Sequence, residues 1–514
     1  MPFDTINLAP REYQKQIFET AKNYNTLVVL PTGLGKTLVA LLLSVDRLKN
    51  FPLSKILFLA PTKPLVEQHF NYFKKHLPEL FASLEIFTGA VPAPKRKKFF
   101  QTAEIIFSTP QCIANDIKKE LYSLNEVSLL IIDEAHRCLK NYDYTYVAKT
   151  YKSQSENPKV LGLTASPGSD PEKVRQICSH LDISKIESRT RDSEDVKPYI
   201  EKLEYEKVPV SFPPELMEIR LLLKKLWDNC IDKLKEKNVL HGPANKITLL
   251  KLQSQLSAQI SRHNFSAMHF ISTTAQAIKI SHALELLETQ TLLGLNNYMK
   301  SLFEQAKENK SRAVKNLIKT PEFNSAYVLL LALLAKNMEH PKVNVLNEIV
   351  KSQFDEDKNS KMIVFAQFRD TISLIASELN KIPNIKASVF IGQAKKRGQG
   401  LNQKEQKQII ENFKDGKINV LCSTSIGEEG LDIPEVSAVI FYEPIPSAIR
   451  KIQRAGRTAR LSPGKLKILV TEGTRDEINH YASAARERKM YKTISQIQNE
   501  INNKPKTLDD FKSK

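Results

Sequence analysis

Short apolar runs recur at 27–30, 55–60, 84–87, 104–108, 128–133 and 159–164, separated by stretches with helical spacing. Apolar runs without polar alternation read as strands buried on both faces. Their rhythm with helices predicts a doubly wound parallel sheet. From about 202 the pattern changes to long segments of period 3.6, notably 215–237 and 247–293, and strand signals are absent through 342. Strand–helix rhythm returns at 361–365, 386–390, 418–422, 437–441 and 466–470. The expected fold is therefore α/β, with two doubly wound parallel-sheet domains (1–200 and 346–498) and an all-helical insert domain (201–345) between them. A polar, Lys-rich flexible tail is expected at 499–514.

The first strand runs into Pro31-Thr32-Gly33-Leu34-Gly35-Lys36-Thr37, and an apolar helix follows. Glycines let backbone N–H groups approach phosphates, and a helix N-terminus adds its positive end. Lys36 is placed to reach the β- and γ-phosphates of ATP, and Thr37 to ligate Mg²⁺. The loop departs from the full phosphate-binding pattern, because Leu30 stands where the first glycine is usual. The run at 128–133 ends in Asp133-Glu134-Ala135-His136, so a buried strand delivers two acids to its C-terminal edge. Asp133 suits the Mg²⁺ shell, and Glu134 suits orienting and deprotonating a water.

With 41% hydrophobic and 26% charged residues among 514, the chain is ordinary globular material for about three domains. Its five cysteines lie far apart without paired spacing, which indicates neither zinc nor a disulfide framework and fits a reducing cytoplasm. Its longest apolar stretch, 328–335, is too short to cross a bilayer. A net charge of +19 suggests a polyanionic partner. Arg312, Lys315 and Lys319, at i, i+3 and i+7 beside Lys307 and Lys310, offer one candidate surface in the insert.

Further motifs appear in order: Arg11 with Gln14, 60–65 with Gln68, Thr88-Gly89, Thr109-Pro110-Gln111 and Thr164-Ala165-Ser166. The second lobe carries 364–367, 423–434 and Gln453-Arg454-Ala455-Gly456-Arg457-Thr458-Ala459-Arg460. The set resembles that of superfamily 2 DEAH-box helicases with RecA-like lobes. Within it, Gly392-Gln393 with 400–407 and the wording of 425–450 resemble the archaeal Hef helicases and their FANCM relatives, over residues 8–495.

The resemblance implies residue roles. Arg11 and Gln14 would lie at the adenine, and Asp432 at the ribose. Arg457 and Arg460 would be arginine fingers reaching the γ-phosphate, with Gln453 orienting the attacking water. A planar cation placed by lobe closure stabilises transition-state charge by on the order of 10³–10⁵ in rate. His136, Thr164 and Ser166 would couple the nucleotide to strand movement. Thr62, Gln68, Gly89, Thr109, Gln367, Thr424 and Gly427 would hold the phosphodiester backbone. The implied activity is an ATP-dependent DNA helicase or translocase on forks and junctions, nucleoid-associated if the source is archaeal. Two rivals are an RNA-stimulated ATPase of the Dicer and RIG-I type and a non-catalytic junction scaffold; the intact Lys36, Glu134, Arg457 and Arg460 disfavour the scaffold.

The chain also departs from the family. Ala459 stands where relatives usually have Gly, and Ala455 where they often have Arg or Ile. Glu487-Arg488-Lys489 matches only a fragment of the nuclease motif that Hef proteins append, so no nuclease activity is expected, and a partner nuclease is an open possibility. The segment 508–511 faintly resembles a sliding-clamp-binding peptide.

Overall fold

A computed structural model describes residue 6 and residues 8–78, 80–140, 142–261, 267–393, 400–424, 433–459 and 463–502. Seven parallel strands build the first sheet: β1 (Thr26–Val29), β2 (Lys55–Leu59), β3 (Leu84–Phe87), β4 (Ile105–Ser108), β5 (Val127–Ile132), β6 (Val160–Thr164) and β7 (Lys185–Ser188). Their order is β3-β4-β2-β5-β6-β1-β7. Helices α1 (Glu12–Asn23), α2 (Lys36–Asn50), α3 (Lys63–His76), α4 (Ala93–Thr102), α5 (Pro110–Lys118), α6 (Asp143–Gln154) and α7 (Pro171–His180) connect them. Every residue of β1, β2, β4, β5 and β6 is buried, as a sheet covered on both faces requires.

The second sheet contains β8 (Leu203–Val210), β9 (Met362–Phe365), β10 (Ala387–Phe390), β11 (Val420–Ser423), β12 (Ala438–Phe441) and β13 (Gly464–Thr471), in the order β10-β11-β9-β12-β13-β8. Between the sheets stand α8 (Pro214–Glu236), α9 (Lys246–Ser261), α10 (Ala267–Thr289), α11 (Leu292–Lys307), α12 (Arg312–Ile318) and α13 (Pro321–Ala335), around their own apolar core. The second lobe adds α14 (Lys342–Glu356), α15 (Arg369–Leu379), α16 (Gln403–Lys414), α17 (Ala448–Ala455) and α18 (Arg475–Asn502).

Three expectations need correction. The segment 203–210, assigned above to the helical insert, is strand β8 and pairs along its whole length with β13. It is an edge strand, and charged residues such as Glu204, Glu206 and Lys207 interrupt the apolar run that marks a central strand. The edge strand β7 was likewise not anticipated. The tail expected from 499 begins later, because α18 continues to Asn502. There Ile186 N donates to Asn502 Oδ1 at 3.2 Å, and Lys185 Nζ to its carbonyl at 2.8 Å. The segment 508–511 lies outside the described residues.

Buried polar contacts hold the helical insert on the second lobe. Arg220 pairs with Glu288 at 2.8 Å, and Arg475 N donates to the same carboxylate at 3.3 Å. Lys342 pairs with Asp476 where both side chains are fully buried. Gln290 donates to Glu443 at 3.3 Å and accepts from Thr371 at 2.9 Å. Burial pushes the Glu443 carboxyl up to about 7, against the opposing pull of Arg454 and Lys342.

The helix α18 joins the lobes. Its first half packs on β13 and α17, whereas Met490, Ile494 and Ile497 are buried in the core of the first lobe beside Val174 and Ile186. Arg175 of α7 pairs with Glu500 at 3.2 Å. The fragment 487–489 sits on this helix, with Glu487 bound to Lys451 at 2.8 Å and Arg488 and Lys489 exposed.

Candidate ATP and nucleic-acid site

The loop after β1 turns through two left-handed glycines, Gly33 at φ 89° and Gly35 at φ 77°. A Cβ on Gly35 would stand 2.3 Å from Gln14 Nε2, so only glycine fits this close approach. Gln14 secures the loop from α1. Its Nε2 donates to Leu34 O at 3.1 Å, and its Oε1 accepts from Arg11 N at 2.8 Å. Tyr13, which sequence reasoning missed, donates to the same Leu34 carbonyl at 2.9 Å. The Arg11 guanidinium lies over the Tyr199 ring at 5.2 Å. Lys36 heads α2, and its Nζ donates to Leu30 O at 2.8 Å.

Asp133 and Glu134 leave the end of β5, two strands away from the phosphate loop. Asp133 Oδ2 lies 2.9 Å from Nε2 of His69, a buried residue of α3 whose Nδ1 is 3.5 Å from Thr37 Oγ1. With Nε2 protonated and donating to Asp133, Nδ1 accepts from the Thr37 hydroxyl. That leaves a Thr37 lone pair for a cation. Burial alone would raise the Asp133 carboxyl, but His69 and Lys36 outweigh it and hold the group below its ordinary value. Glu134 is left-handed at φ 52°, a conformation uncommon outside glycine and frequent at functional sites. Its Oε2 is buried without a hydrogen-bond partner, 3.2 Å from His136 Nδ1.

The same imidazole nitrogen lies 3.2 Å from Thr164 Oγ1 at the end of β6. Thr164 Oγ1 donates to Ser166 O at 3.0 Å and accepts from Ser166 N at 3.1 Å. The coupling residues His136, Thr164 and Ser166 therefore form one hydrogen-bonded group next to Glu134.

The second lobe reaches this cleft through α17. Gln453 and Arg457 are buried, and Gly456 packs against the phosphate loop so closely that a Cβ there would fall 1.5 Å from Thr32 Oγ1. Ala459 is buried at φ 56°, and its carbonyl accepts from Arg191 Nη2 of the first lobe at 2.8 Å. Where relatives carry Gly, this chain thus holds Ala in a left-handed conformation. Ala459→Gly is expected to raise the free energy of unfolding by up to about 1 kcal/mol, since left-handed Ala is strained by about 1–2 kcal/mol and glycine's larger unfolded-state entropy offsets part of the relief. Denaturant midpoints measure it; a lowered midpoint would show that the Ala methyl contributes more by packing than it costs in strain.

The residues assigned to the polyanion occupy the C-terminal ends of other strands. Thr62, Gly89 and Thr109 follow β2, β3 and β4, and Gln68 is exposed on α3. Gln367 is exposed after β9, and Thr424 is buried after β11. One end of the first sheet thus carries nucleotide residues on β1, β5 and β6 and backbone-binding candidates on β2, β3 and β4. Arg312 and Lys319 are exposed and Lys315 is half-buried on and just after α12. Gly427, Asp432 and Arg460 lie outside the described residues.

An ATP–Mg²⁺ complex fits these donors. Buried Thr32 Oγ1 and Glu134 Oε2 have no hydrogen-bond partner, which suits a phosphate oxygen and a water respectively. The oxygens of Thr37 and Asp133 form the hard donor set that Mg²⁺ takes.

Comparison with known proteins matches residues 11–174 to the DEAD/DEAH box helicases and 341–462 to the helicase conserved C-terminal domain. Residues 215–338 match the helical bundle of putative ATP-dependent RNA helicases. A putative ATP-dependent RNA helicase of Methanocaldococcus jannaschii is 38% identical, over 95% of this chain and 61% of its own length. An ATP-dependent DNA helicase of Neurospora crassa is 34% identical, over 92% of this chain and 42% of its own. The chain therefore spans less than two thirds of either relative. The crystal structure of the Pyrococcus furiosus Hef helicase domain aligns with a TM-score of 0.72 and 42% identity, covering 92% of this chain and 98% of that one.

Proposed function

The chain belongs to the Hef helicase family, and from that premise we propose that it is an ATP-driven motor that remodels branched DNA during repair and replication restart. The observation that carries the motor reading is the seat of Gly456 on Thr32, which joins the two halves of an ATP site in one cleft. Glu134 accepts the proton of the attacking water through its unpartnered oxygen. Arg457, buried one residue beyond Gly456, brings positive charge from the second lobe only while the lobes are together. Thr37 and Asp133 hold Mg²⁺, which when bound neutralises phosphate charge. His69 orients both of those ligands.

Branched DNA as substrate rests on the family and on the insert. Two lobes grip one strand path, so a preference for a junction needs another surface. Arg312, Lys315 and Lys319 form no ion pair with described residues, whereas Lys310 is bound by Glu308 at 2.6 Å. Reversing all three charges is expected to weaken binding to forked DNA more than to single strands. The salt dependence should become shallower by about 0.9 per lost phosphate contact. Equal losses on both substrates would assign the cluster to a solvated helix face.

An RNA substrate is the second reading, favoured by the match of the insert to a bundle described from RNA helicases. ATPase and unwinding assays on forked DNA, linear DNA and duplex RNA at one salt concentration separate the two. Greatest stimulation by forks supports the first reading, and greatest stimulation by duplex RNA replaces it with the second.

A further inference from the structure

Ser166 ends the polar chain that starts beside Glu134, and its hydroxyl has an unusual partner. Its single proton is directed at Met490 Sδ, 2.6 Å away on α18. A thioether is a weak acceptor, whereas buried hydroxyls ordinarily find oxygen. The bond is therefore easily exchanged. Met490 is fully buried, and it sits where α18 passes from one lobe to the other. Just before it, Glu487 is bound to Lys451 of α17, the helix that carries Gln453. Just after it, Ile494, Ile497, Glu500 and Asn502 are fixed in the first lobe. A rotation of the second lobe must lever α18 about this point and displace the sulfur from Ser166.

We propose that Met490 is a positioning residue that reports lobe movement to the ATP site through Ser166, Thr164 and His136. With the lobes together the sulfur holds the Ser166 hydroxyl, and the Thr164–His136 contact next to Glu134 is kept in register. When the second lobe turns, the hydroxyl is released and the register relaxes. Hydrolysis and strand movement are thereby linked across the back of the cleft, independently of contacts through bound nucleotide. The inference rests on the motor reading above.

The test compares wild type, Met490→Leu, Met490→Gln, Ser166→Ala and the Ser166→Ala/Met490→Leu double variant. Basal ATP turnover, KM for ATP, stimulation by forked DNA and base pairs opened per ATP are measured on the full chain. Leu conserves volume but removes the acceptor, so KM and basal turnover stay near wild type while fork stimulation and base pairs per ATP fall about fivefold. Gln replaces the sulfur with a carbonyl oxygen and restores stimulation above the Leu level. The double variant is no worse than Ser166→Ala. A merely structural Met490 gives the opposite order, with the better-packed Leu near wild type and the buried amide of Gln worse. That order, or additive losses in the double variant, overturns the proposal. If Gln fails to fold, as thermal melting would show, the Ser166→Ala/Met490→Leu cycle decides alone. Wild type unstimulated by any DNA would remove the DNA-motor reading, and this inference with it.

Discussion

Gly456→Ala is expected to lower kcat for ATP hydrolysis on the order of 10²–10³-fold while leaving the fold and ATP affinity nearly unchanged. The backbone permits Ala here, because φ is −69°. The obstacle is the other lobe. The new methyl would lie 1.5 Å from Thr32 Oγ1 and 2.8 Å from Thr32 Cβ. Turning the Thr32 side chain moves the hydroxyl but not Cβ, so α17 must withdraw from the phosphate loop. A misplacement of about 1 Å costs roughly 10²-fold, and full removal of an arginine finger costs 10³ or more. Because the lobes separate instead of unfolding, the melting temperature should stay close to that of wild type. A fluorescent ATP analogue titrated against the variant measures affinity, and single-turnover hydrolysis measures the chemical step. Unchanged turnover would mean that the catalytic arrangement has the second lobe elsewhere.

The second large effect is expected at the base. Glu134→Gln should reduce hydrolysis by about 10²–10⁴-fold, the range that a positioned general base contributes, with binding of ATP and DNA retained. Gln has the same shape and can keep the left-handed backbone at φ 52°. It can still touch His136, but it cannot take the proton of water. The variant should also trap ATP without turning it over, so DNA binding measured in the presence of ATP becomes independent of hydrolysis. Turnover within a few-fold of wild type would reassign the base. A loss of ATP affinity equal to the loss of rate would show a ground-state role for Glu134.

Much of this site was legible without coordinates, for reasons visible in particular residues. A strand covered on both faces has to be apolar throughout, so 128–133 announced both β5 and the place where Asp133 and Glu134 emerge. A phosphate loop requires glycines at specific turns, and Gly33 and Gly35 are indeed left-handed. The helices of the insert showed through their period of 3.6. Edge strands were harder to see: β8 carries charges on an exposed face, and its strand character depends on pairing with β13, more than 250 positions away in the chain.

Periodicity and motif spacing reflect what each segment needs locally, namely burial of one face or both, a turn, or a cap. They were enough to establish two nucleotide-type lobes, the insert and the residues lining each strand end. They carry no information about which surfaces meet when rigid elements pack. His69 gives no sign on its helix that it bridges Thr37 and Asp133, a contact spanning 64 positions. Met490 looks like an ordinary core residue until α18 crosses to the first lobe and meets Ser166, 324 positions earlier. Gly456 reads as a motif glycine, and the obligation to be glycine comes from Thr32 on the opposite lobe. These contacts were settled by tertiary packing, because close-packed surfaces are selected by shape across the whole molecule and not by the neighbours of each residue in sequence.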